Sequence, residues 1–227
     1  MEQRAEQPVR VLVVGAHPDD PEFACGGTVA AWVQEGKEIH YLVCTRGDKG
    51  SEDPSMTPDQ LMAMREAEQR AAAAVLGVRS VTFLPFRDAE LSPNLELREQ
   101  IVRAIRQTRP DAVLTHDPTT VYGDNFINHP DHRAVGTATL DAIFPTARDR
   151  LNFPEHERAG LAPHKVKEVY LWGSQHPNFW VDVTAVFDKK VEAILQHRSQ
   201  VKSPDGLRER MRERLRTVGE PKGIELA

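Results

Sequence analysis

Short apolar runs rich in β-branched residues alternate with helical patterns along this chain. Such runs are typical of strands buried on both faces of a sheet, and the helices between them supply the crossovers that parallel strands need. We therefore predict an α/β fold in which a doubly wound, mostly parallel sheet is flanked by helices. The runs that predict strands are residues 9–14, 39–44, 81–84, 112–115, 167–172 and 179–183.

Recognisable start and stop signals separate the helices from these strands. In the best-defined helix, Thr57 is a predicted N-cap, Pro58 suits the first helical position, Gln60 completes a capping box, and Gly77 ends the helix. No internal repeat or linker divides the chain, so we expect a single domain of residues 1–227. The other predicted helices are residues 26–36, 95–108, 131–144, 184–200 and 205–216, the last within a charged C-terminal segment, 203–227, of unassigned role.

Composition excludes several classes of protein. The 227 residues are 40% hydrophobic and 28% charged, which is ordinary for a globular chain, and a net charge of −5 offers no attraction to nucleic acid or to anionic lipid. No apolar run approaches the roughly 20 residues of a membrane span. The first eight residues lack the apolar core of a signal peptide, and two cysteines are too few for a disulfide framework. We expect a cytoplasmic protein with reduced thiols and no membrane or nucleic-acid partner.

Polar side chains follow four of the predicted strands, at the point where each strand ends. His17 follows the first strand, a loop rich in Gly, Asp and Lys follows the second, Asp88 follows the third, and His116 ends the fourth. In open α/β sheets, ligands bind at the carboxyl ends of the strands. The sequence therefore predicts a functional site at this edge of the sheet.

The residues after the first strand have the donor atoms of a metal site. His17 and Asp20 can reach one ion from the same turn, and His132 can supply a third ligand from another part of the chain. Imidazole and carboxylate together suit Zn²⁺ or a similar divalent metal, and three protein ligands leave a position open for water. Asp19 then serves as general base, while a positively charged His129 stabilises the tetrahedral intermediate or protonates the departing amine. Taken alone, the two aspartates could instead cap the following helix.

Two motifs give the chain a family resemblance. Residues 16–22, Ala-His-Pro-Asp-Asp-Pro-Glu, and residues 129–132, His-Pro-Asp-His, resemble the paired motifs of the PIG-L (LmbE-like) family of zinc-dependent N-acetylglucosaminyl deacetylases and amidases. The resemblance covers residues 9–200. It implies a Rossmann-like fold, zinc on His17, Asp20 and His132, Asp19 as general base and His129 as charged helper. It also implies a homo-oligomer, a trimer or a hexamer.

Further candidates surround these motifs. Arg65 resembles the arginine of a family helix motif that contacts substrate, although it could be a solvated charge, and Asp88 could orient sugar hydroxyls or close a turn. His116 and Asp131 are expected to orient the metal-binding histidines, with a buried hydrogen-bonded pair as the alternative for His116. His197 resembles part of a late family signature and otherwise has a structural role.

These observations predict a metal-dependent hydrolase that removes the acetyl group of an N-acetylglucosamine-type sugar or conjugate. An amidase acting on a glucosaminyl-linked thiol conjugate is the nearest alternative. Zn²⁺ is the expected cofactor, Fe²⁺ is an alternative, and the expected partner is a small amino-sugar substrate. Two other classes are a nucleotide-binding Rossmann protein, which the missing Gly-x-Gly-x-x-Gly disfavours, and a non-catalytic zinc scaffold, which leaves Asp19 and His129 without a role.

Overall fold

The computed structural model describes residues 8–227, which form a five-stranded parallel sheet in the order β3-β2-β1-β4-β7. This arrangement confirms the predicted fold class. A two-stranded antiparallel hairpin, β5 and β6, lies outside the sheet and shortly precedes His129. The strands are β1 (Arg10–Gly15), β2 (Glu38–Thr45), β3 (Ser80–Phe86), β4 (Ala112–His116), β5 (Tyr122–Gly123), β6 (Phe126–Ile127) and β7 (Glu168–Trp172).

Within residues 8–227, seven α-helices accompany the strands. The predicted capping box is present, since the Thr57 hydroxyl accepts from the Gln60 amide and the Gln60 side chain accepts from the Thr57 amide. Among the described residues, no helix is both long and apolar enough to cross a membrane. The helices are α1 (Asp20–Gln34), α2 (Pro58–Leu76), α3 (Leu95–Thr108), α4 (Pro130–Ile143), α5 (Pro154–Arg158), α6 (Phe187–Ile194) and α7 (Leu207–Gly219).

Three predicted elements differ from those observed. The helix predicted over residues 184–200 ends at Ile194. Helix α1 begins at Asp20 rather than at residue 26, because the two acidic residues and the proline of its first turn already suit a helix N-terminus. Residues 179–183 do not join the sheet. The amide of Val183 instead donates to the carbonyl of Leu226, 2.9 Å away, so this segment pairs with the C-terminal tail.

The sheet is covered on both faces. Val11 and Val13 belong to a core formed with α1, α2 and α6, whereas Leu12 and Val14 belong to a core formed with α3 and α4. Successive strand residues point to opposite faces, and both sets are buried here. This explains why the strands are continuous apolar runs rather than alternating patterns.

The charged C-terminal segment completes the first of these cores. Leu226 is 1% exposed, and Met211 and Leu215 of α7 pack against the same cluster. The guanidinium of Arg212 lies 4.6 Å from the ring centroid of Phe187. The part of the chain that the sequence left unassigned therefore has a packing role.

Strand β1 lies at the point where the strand order reverses, with β2 on one side and β4 on the other. Its exit, and that of β4, are therefore the places where an open α/β sheet forms a crevice. Helix α4 crosses close to the end of β4 at Gly136, where an added Cβ would lie 2.5 Å from the carbonyl oxygen of His116. This close approach requires a glycine and brings the start of α4 to the crevice.

Replacement of Gly136 tests whether this approach matters for stability. Gly136→Ala is expected to lower the free energy of unfolding by about 1–3 kcal/mol, because the new methyl group must displace the helix or the strand end. Thr137→Ala, at the next position of the same helix, is the matched control and should have little effect. Thermal denaturation of the three proteins measures the difference. Equal melting temperatures for Gly136→Ala and the parent chain would contradict this account.

Candidate metal centre

The ends of β1 and β4 and the start of α4 bring the predicted site residues to one place. His17 lies in the turn after β1, Asp20 is the first residue of α1, His116 ends β4, and His132 lies in the first turn of α4. The ring centroids of His116 and His132 are 4.1 Å apart, and those of His17 and His132 are 5.3 Å apart. Residues separated by more than 100 positions in the chain thus share one site.

The carboxylate of Asp20 has two oxygens with different surroundings. Oδ2 accepts hydrogen bonds from the amides of Ala16 and His17, at 2.9 and 2.7 Å, and lies 3.3 Å from His116 Nε2. Oδ1 lies 3.1 Å from His132 Nε2. One oxygen is therefore used to fix the side chain, while the other remains as a ligand.

Neighbouring groups set the tautomers of two of these histidines. Asn128 donates through Nδ2 to a backbone carbonyl, so its Oδ1 accepts the Nδ1 proton of His132 at 3.1 Å and leaves Nε2 free to bind a cation. The indole of Trp172 donates to Nδ1 of His116 at 3.1 Å, so Nε2 of His116 carries the proton given to Asp20. His132 is thus prepared as a ligand and His116 as a donor.

His17 contacts carboxylates at both ring nitrogens, and the contacts at Nε2 are the shorter ones. Its Nε2 lies 3.0 Å from Asp131 Oδ2 and 3.2 Å from Asp88 Oδ1, whereas its Nδ1 lies 3.5 Å from Asp20. A proton on Nε2 leaves the Nδ1 lone pair facing the Asp20 side. Asp131 is itself fixed by the amides of Ala89 and Leu91, at 2.7 and 3.2 Å. Metal-binding histidines commonly have such a carboxylate partner.

Two groups of donor atoms therefore share His17. In the Nδ1-side group, His17, Asp20 and His132 each offer a ligand atom within 4.8 Å of the others. Two atoms that bind one zinc ion at about 2.1 Å are about 3.4 Å apart at a tetrahedral angle, close to the spacing of Asp20 Oδ1 and His132 Nε2. The Nε2-side group is His17 with Asp88, His129 and Asp131.

The hydrogen bonds favour the Nδ1-side group as the metal centre. In the Nε2-side group, both oxygens of Asp131 already accept backbone amides, and a cation there would displace the hydrogen bond between Asp131 and His17. Asp20 Oδ1 has no such backbone partner among residues 8–227. The donor set of the Nδ1-side group, two imidazoles and one carboxylate, is also one that catalytic zinc sites use.

The charges of the site also favour a cation. Burial lowers the pKa of His17, but hydrogen bonds to Asp131, Asp20 and Asp88 outweigh it and hold the pKa well above its ordinary value. Burial raises the pKa of Asp20, but the charges of His116 and His132 outweigh it and hold the pKa well below the usual range. The carboxylates around His17 thus stabilise a positive charge at this position, which a bound cation would supply in place of a proton on the ring.

Asp19 has an unusual backbone conformation next to this group. It occupies the N-cap position of α1 with φ 103°, in the left-handed region that costs about 1–3 kcal/mol for a residue other than glycine. Its side chain makes no capping hydrogen bond. Asp19 thus occupies the N-cap position, but helix capping does not explain why a carboxylate is present there. Burial and the adjacent Asp20 raise the pKa of Asp19 to about 6.

The role of His129 as a cationic helper stays a prediction, and its surroundings bear on the protonation of the ring. Burial and the neighbouring His17 lower the pKa of His129, which favours the neutral ring. Its Nδ1 accepts the amide of Asp131 at 3.2 Å, so the neutral ring has its proton on Nε2. The ring centroids of His129 and His17 are 4.6 Å apart. His129 therefore lies at the site as a neutral hydrogen-bond donor.

The two predicted substrate-binding residues are both buried. Arg65 is 4% exposed, and its Nη2 donates to the carbonyl of Pro18 at 2.6 Å and to Asp19 Oδ2 at 3.3 Å. Asp88 contacts His17 and lies 3.9 Å from Arg65 Nη1. Substrate binding by either residue stays a prediction. The structure shows that Arg65 contacts Asp19 and that Asp88 contacts His17.

Sequence reasoning missed several residues that hold the site. Gln69 accepts the amide of Asp19, Asn128 orients His132, and Trp172 orients His116. Each is a common residue type in a helix, loop or strand, with no motif of its own. Only the position of Trp172, at the end of the strand beside His116, is a signal that could have identified it.

Known proteins are similar to this chain in sequence and in fold. Residues 12–143 match the family model described as PIG-L, GlcNAc-PI de-N-acetylase. Diacetylchitobiose deacetylase of Thermococcus kodakarensis is 34% identical, with 92% of this chain and 76% of the relative covered. A probable N-acetyl-alpha-D-glucosaminyl L-malate deacetylase of Bacillus anthracis is 28% identical, with coverage of 84% and 80%. The structure of N,N'-diacetylchitobiose deacetylase from Pyrococcus horikoshii superposes with a TM-score of 0.86 at 30% identity, over 96% of this chain and 80% of that one.

A doubly wound sheet with a His/Asp/His cluster at its switch point fits a metal-dependent hydrolase, and the relatives are named deacetylases. The chain belongs to the PIG-L family. The predicted family, fold class and enzyme class are thereby confirmed. The identity of the metal and the roles of individual site residues stay predictions.

Metal content tests which group of donor atoms binds the cation. His132→Ala is expected to lose most bound metal, because it removes one of three ligands from the Nδ1-side group. His129→Ala, one helical turn away in the sequence, is expected to retain it. Elemental analysis of the two purified variants, after equal exposure to zinc, measures the difference. Loss of metal from His129→Ala with retention in His132→Ala would instead place the ion in the Nε2-side group.

Proposed function

We propose that this protein is a zinc-dependent N-deacetylase that hydrolyses the acetamide of an N-acetylglucosamine-type sugar or conjugate. The observation that carries this proposal is the three-donor group of His17, Asp20 and His132. Asp19, the residue before Asp20, has a carboxylate that makes no capping hydrogen bond and contacts Arg65 instead. A fourth position left open at such a group is the pattern of catalytic rather than structural zinc. Fe²⁺ fits the same donor set.

His17, Asp20 and His132 would hold the zinc ion, which when bound would supply Lewis-acid polarisation of water and of the acetamide carbonyl. The protein residues perform the proton transfers. Asp19 accepts the proton of the attacking water, and Arg65, 3.3 Å from its Oδ2, holds the carboxylate in place. A general base at this position typically contributes about 10²–10⁴ in rate.

His129 stabilises the tetrahedral intermediate in this mechanism. Because its Nδ1 accepts a backbone amide, the neutral ring offers Nε2–H as a donor to developing negative charge. The proton that Asp19 accepts from the water then passes to the departing amine as the C–N bond breaks. The reaction then leaves acetate and the free amino sugar.

The relatives support an amino-sugar substrate. The T. kodakarensis and P. horikoshii proteins are named for diacetylchitobiose, and the B. anthracis protein for an N-acetylglucosaminyl malate. We infer that the group shared by these compounds, an acetylated glucosamine, is what this site recognises. An amidase acting on a glucosaminyl-linked conjugate is the second candidate, since the same residues would cleave its amide.

Several predictions belong with this proposal. We propose that residues 1–227 act as one deacetylase-type domain, with Arg65 and Asp88 positioned to assist substrate binding. A cytoplasmic location and a trimeric or hexameric assembly stay predictions.

A non-catalytic zinc scaffold is disfavoured because such a site needs a fourth protein ligand.

Replacement of the proposed base tests the mechanism. Asp19→Asn is expected to retain bound zinc and to lower kcat about 10²–10⁴-fold, because the amide cannot accept the proton. Elemental analysis and release of free amine from N-acetylglucosaminyl substrates are the measurements. Loss of zinc in this variant would instead assign Asp19 to the ligand set.

A panel of substrates tests whether the protein is a deacetylase or an amidase that acts on a glucosaminyl-linked conjugate. The zinc-loaded protein is expected to release acetate and free amine from N-acetylglucosamine and its disaccharide or conjugates in equal amounts. Detection of both products by chromatography identifies a deacetylase. Release of an amine without acetate, from conjugates acylated by a larger group, would identify the amidase.

A further inference from the structure

A chain of buried polar side chains lies beneath the metal-binding turn. Glu22, Gln69 and His197 are each 0% exposed, although they come from α1, α2 and the segment after α6. Burial of polar groups is costly unless they are hydrogen-bonded to one another. Three such residues at one place, next to a residue with a strained backbone, call for a functional explanation.

The hydrogen bonds of this chain lead to Asp19. The Oε1 of Gln69 accepts the backbone amide of Asp19 at 2.8 Å, and its Nε2 lies 3.0 Å from each carboxylate oxygen of Glu22. His197 Nε2 lies 3.0 Å from Glu22 Oε2. Among the described residues, His197 Nδ1 has no hydrogen-bond partner, so we assign the ring proton to Nε2, which donates to Glu22.

This arrangement determines which end of the Gln69 side-chain amide faces Asp19. A carboxylate only accepts hydrogen bonds, so Glu22 attracts the NH₂ group of Gln69 and turns the amide oxygen towards Asp19. His197 in turn holds Glu22. An amide side chain without such a partner could present either end to the backbone.

The backbone of Asp19 needs a specific partner at this position. With φ 103° the residue lies in a region that persists only where the surrounding structure enforces it. Asp19 precedes the first residue of α1, so its amide has no partner within the helix, and Gln69 supplies one. The metal ligand Asp20 has its own bonds to Ala16, His17 and His116, which do not involve Gln69.

We propose that Gln69, fixed by Glu22 and His197, is a positioning residue that holds the Asp19 backbone so that its carboxylate faces the substrate. This inference rests on the proposed function, in which Asp19 is the general base. It assigns to the buried chain a role in turnover that is separate from metal binding. Neither Gln69 nor Glu22 needs to touch the substrate.

Kinetics of Gln69→Met, alone and combined with Asp19→Asn, test the proposal. In the zinc-loaded protein, the single variant is expected to lower kcat about 10- to 100-fold with KM and zinc content unchanged, because a small displacement of a catalytic group has an effect of this size. In the Asp19→Asn background the same change is expected to have almost no further effect. If the role of Gln69 were merely structural, Gln69→Met would lower kcat by the same factor in the parent chain and in the Asp19→Asn background.

Glu68→Met is the matched control. Glu68 is the neighbouring residue of α2, and its two hydrogen bonds join the helix to Ser199, at 2.8 and 2.6 Å, without contacting Asp19. This variant is expected to lose thermal stability while retaining kcat. If Gln69→Met does not fold, Glu22→Gln keeps the side-chain volume and is measured in the same two backgrounds, again with the loss confined to the parent background.

The outcomes separate this inference from the proposed function. Full turnover in Asp19→Asn would overturn the proposed function itself. A large loss in Asp19→Asn with parent kcat in Gln69→Met would overturn the positioning role alone. Equal proportional losses in both backgrounds, or a loss in Glu68→Met as large as that in Gln69→Met, would also overturn it.

Discussion

The carboxylate of Asp20 is the interaction on which the site depends. Its Oδ2 joins the end of β1 to the end of β4, through the amides of Ala16 and His17 and the ring of His116. Its Oδ1 faces His132 at the start of α4. Because one oxygen fixes the turn and the other is left as a ligand, the geometry of the metal group follows from the topology of the sheet. The close approach of α4 at Gly136 completes that geometry.

Much of this arrangement could be predicted from the sequence, for identifiable reasons. The apolar runs predicted the parallel sheet because both of its faces are buried, and parallel strands bring their carboxyl ends to one edge. His17 and His132 could be paired because each follows a strand that ends there. The motifs around them added the family, which the comparisons confirm. The capping box at Thr57 was predictable because it is a local pattern.

The remaining features depend on long-range contacts that local patterns do not record. Residues 179–183 have the composition of a strand, but their partner is the C-terminal tail. The charge of His129 could not be read from its type, since burial and His17 lower its pKa. Gln69 and Glu22 have no motif that links them, although together they hold Asp19 in its left-handed conformation. The residue with the strained backbone, Asp19, is thus also the residue that we propose as the general base.

The most direct test of this account is the position of a bound cation, measured by anomalous diffraction at the zinc absorption edge from crystals of the zinc-loaded protein. The account predicts one strong peak about 2.0–2.2 Å from His17 Nδ1, Asp20 Oδ1 and His132 Nε2, with a fourth position open to solvent. A peak on the other side of the His17 ring, within the Nε2-side group, would contradict it.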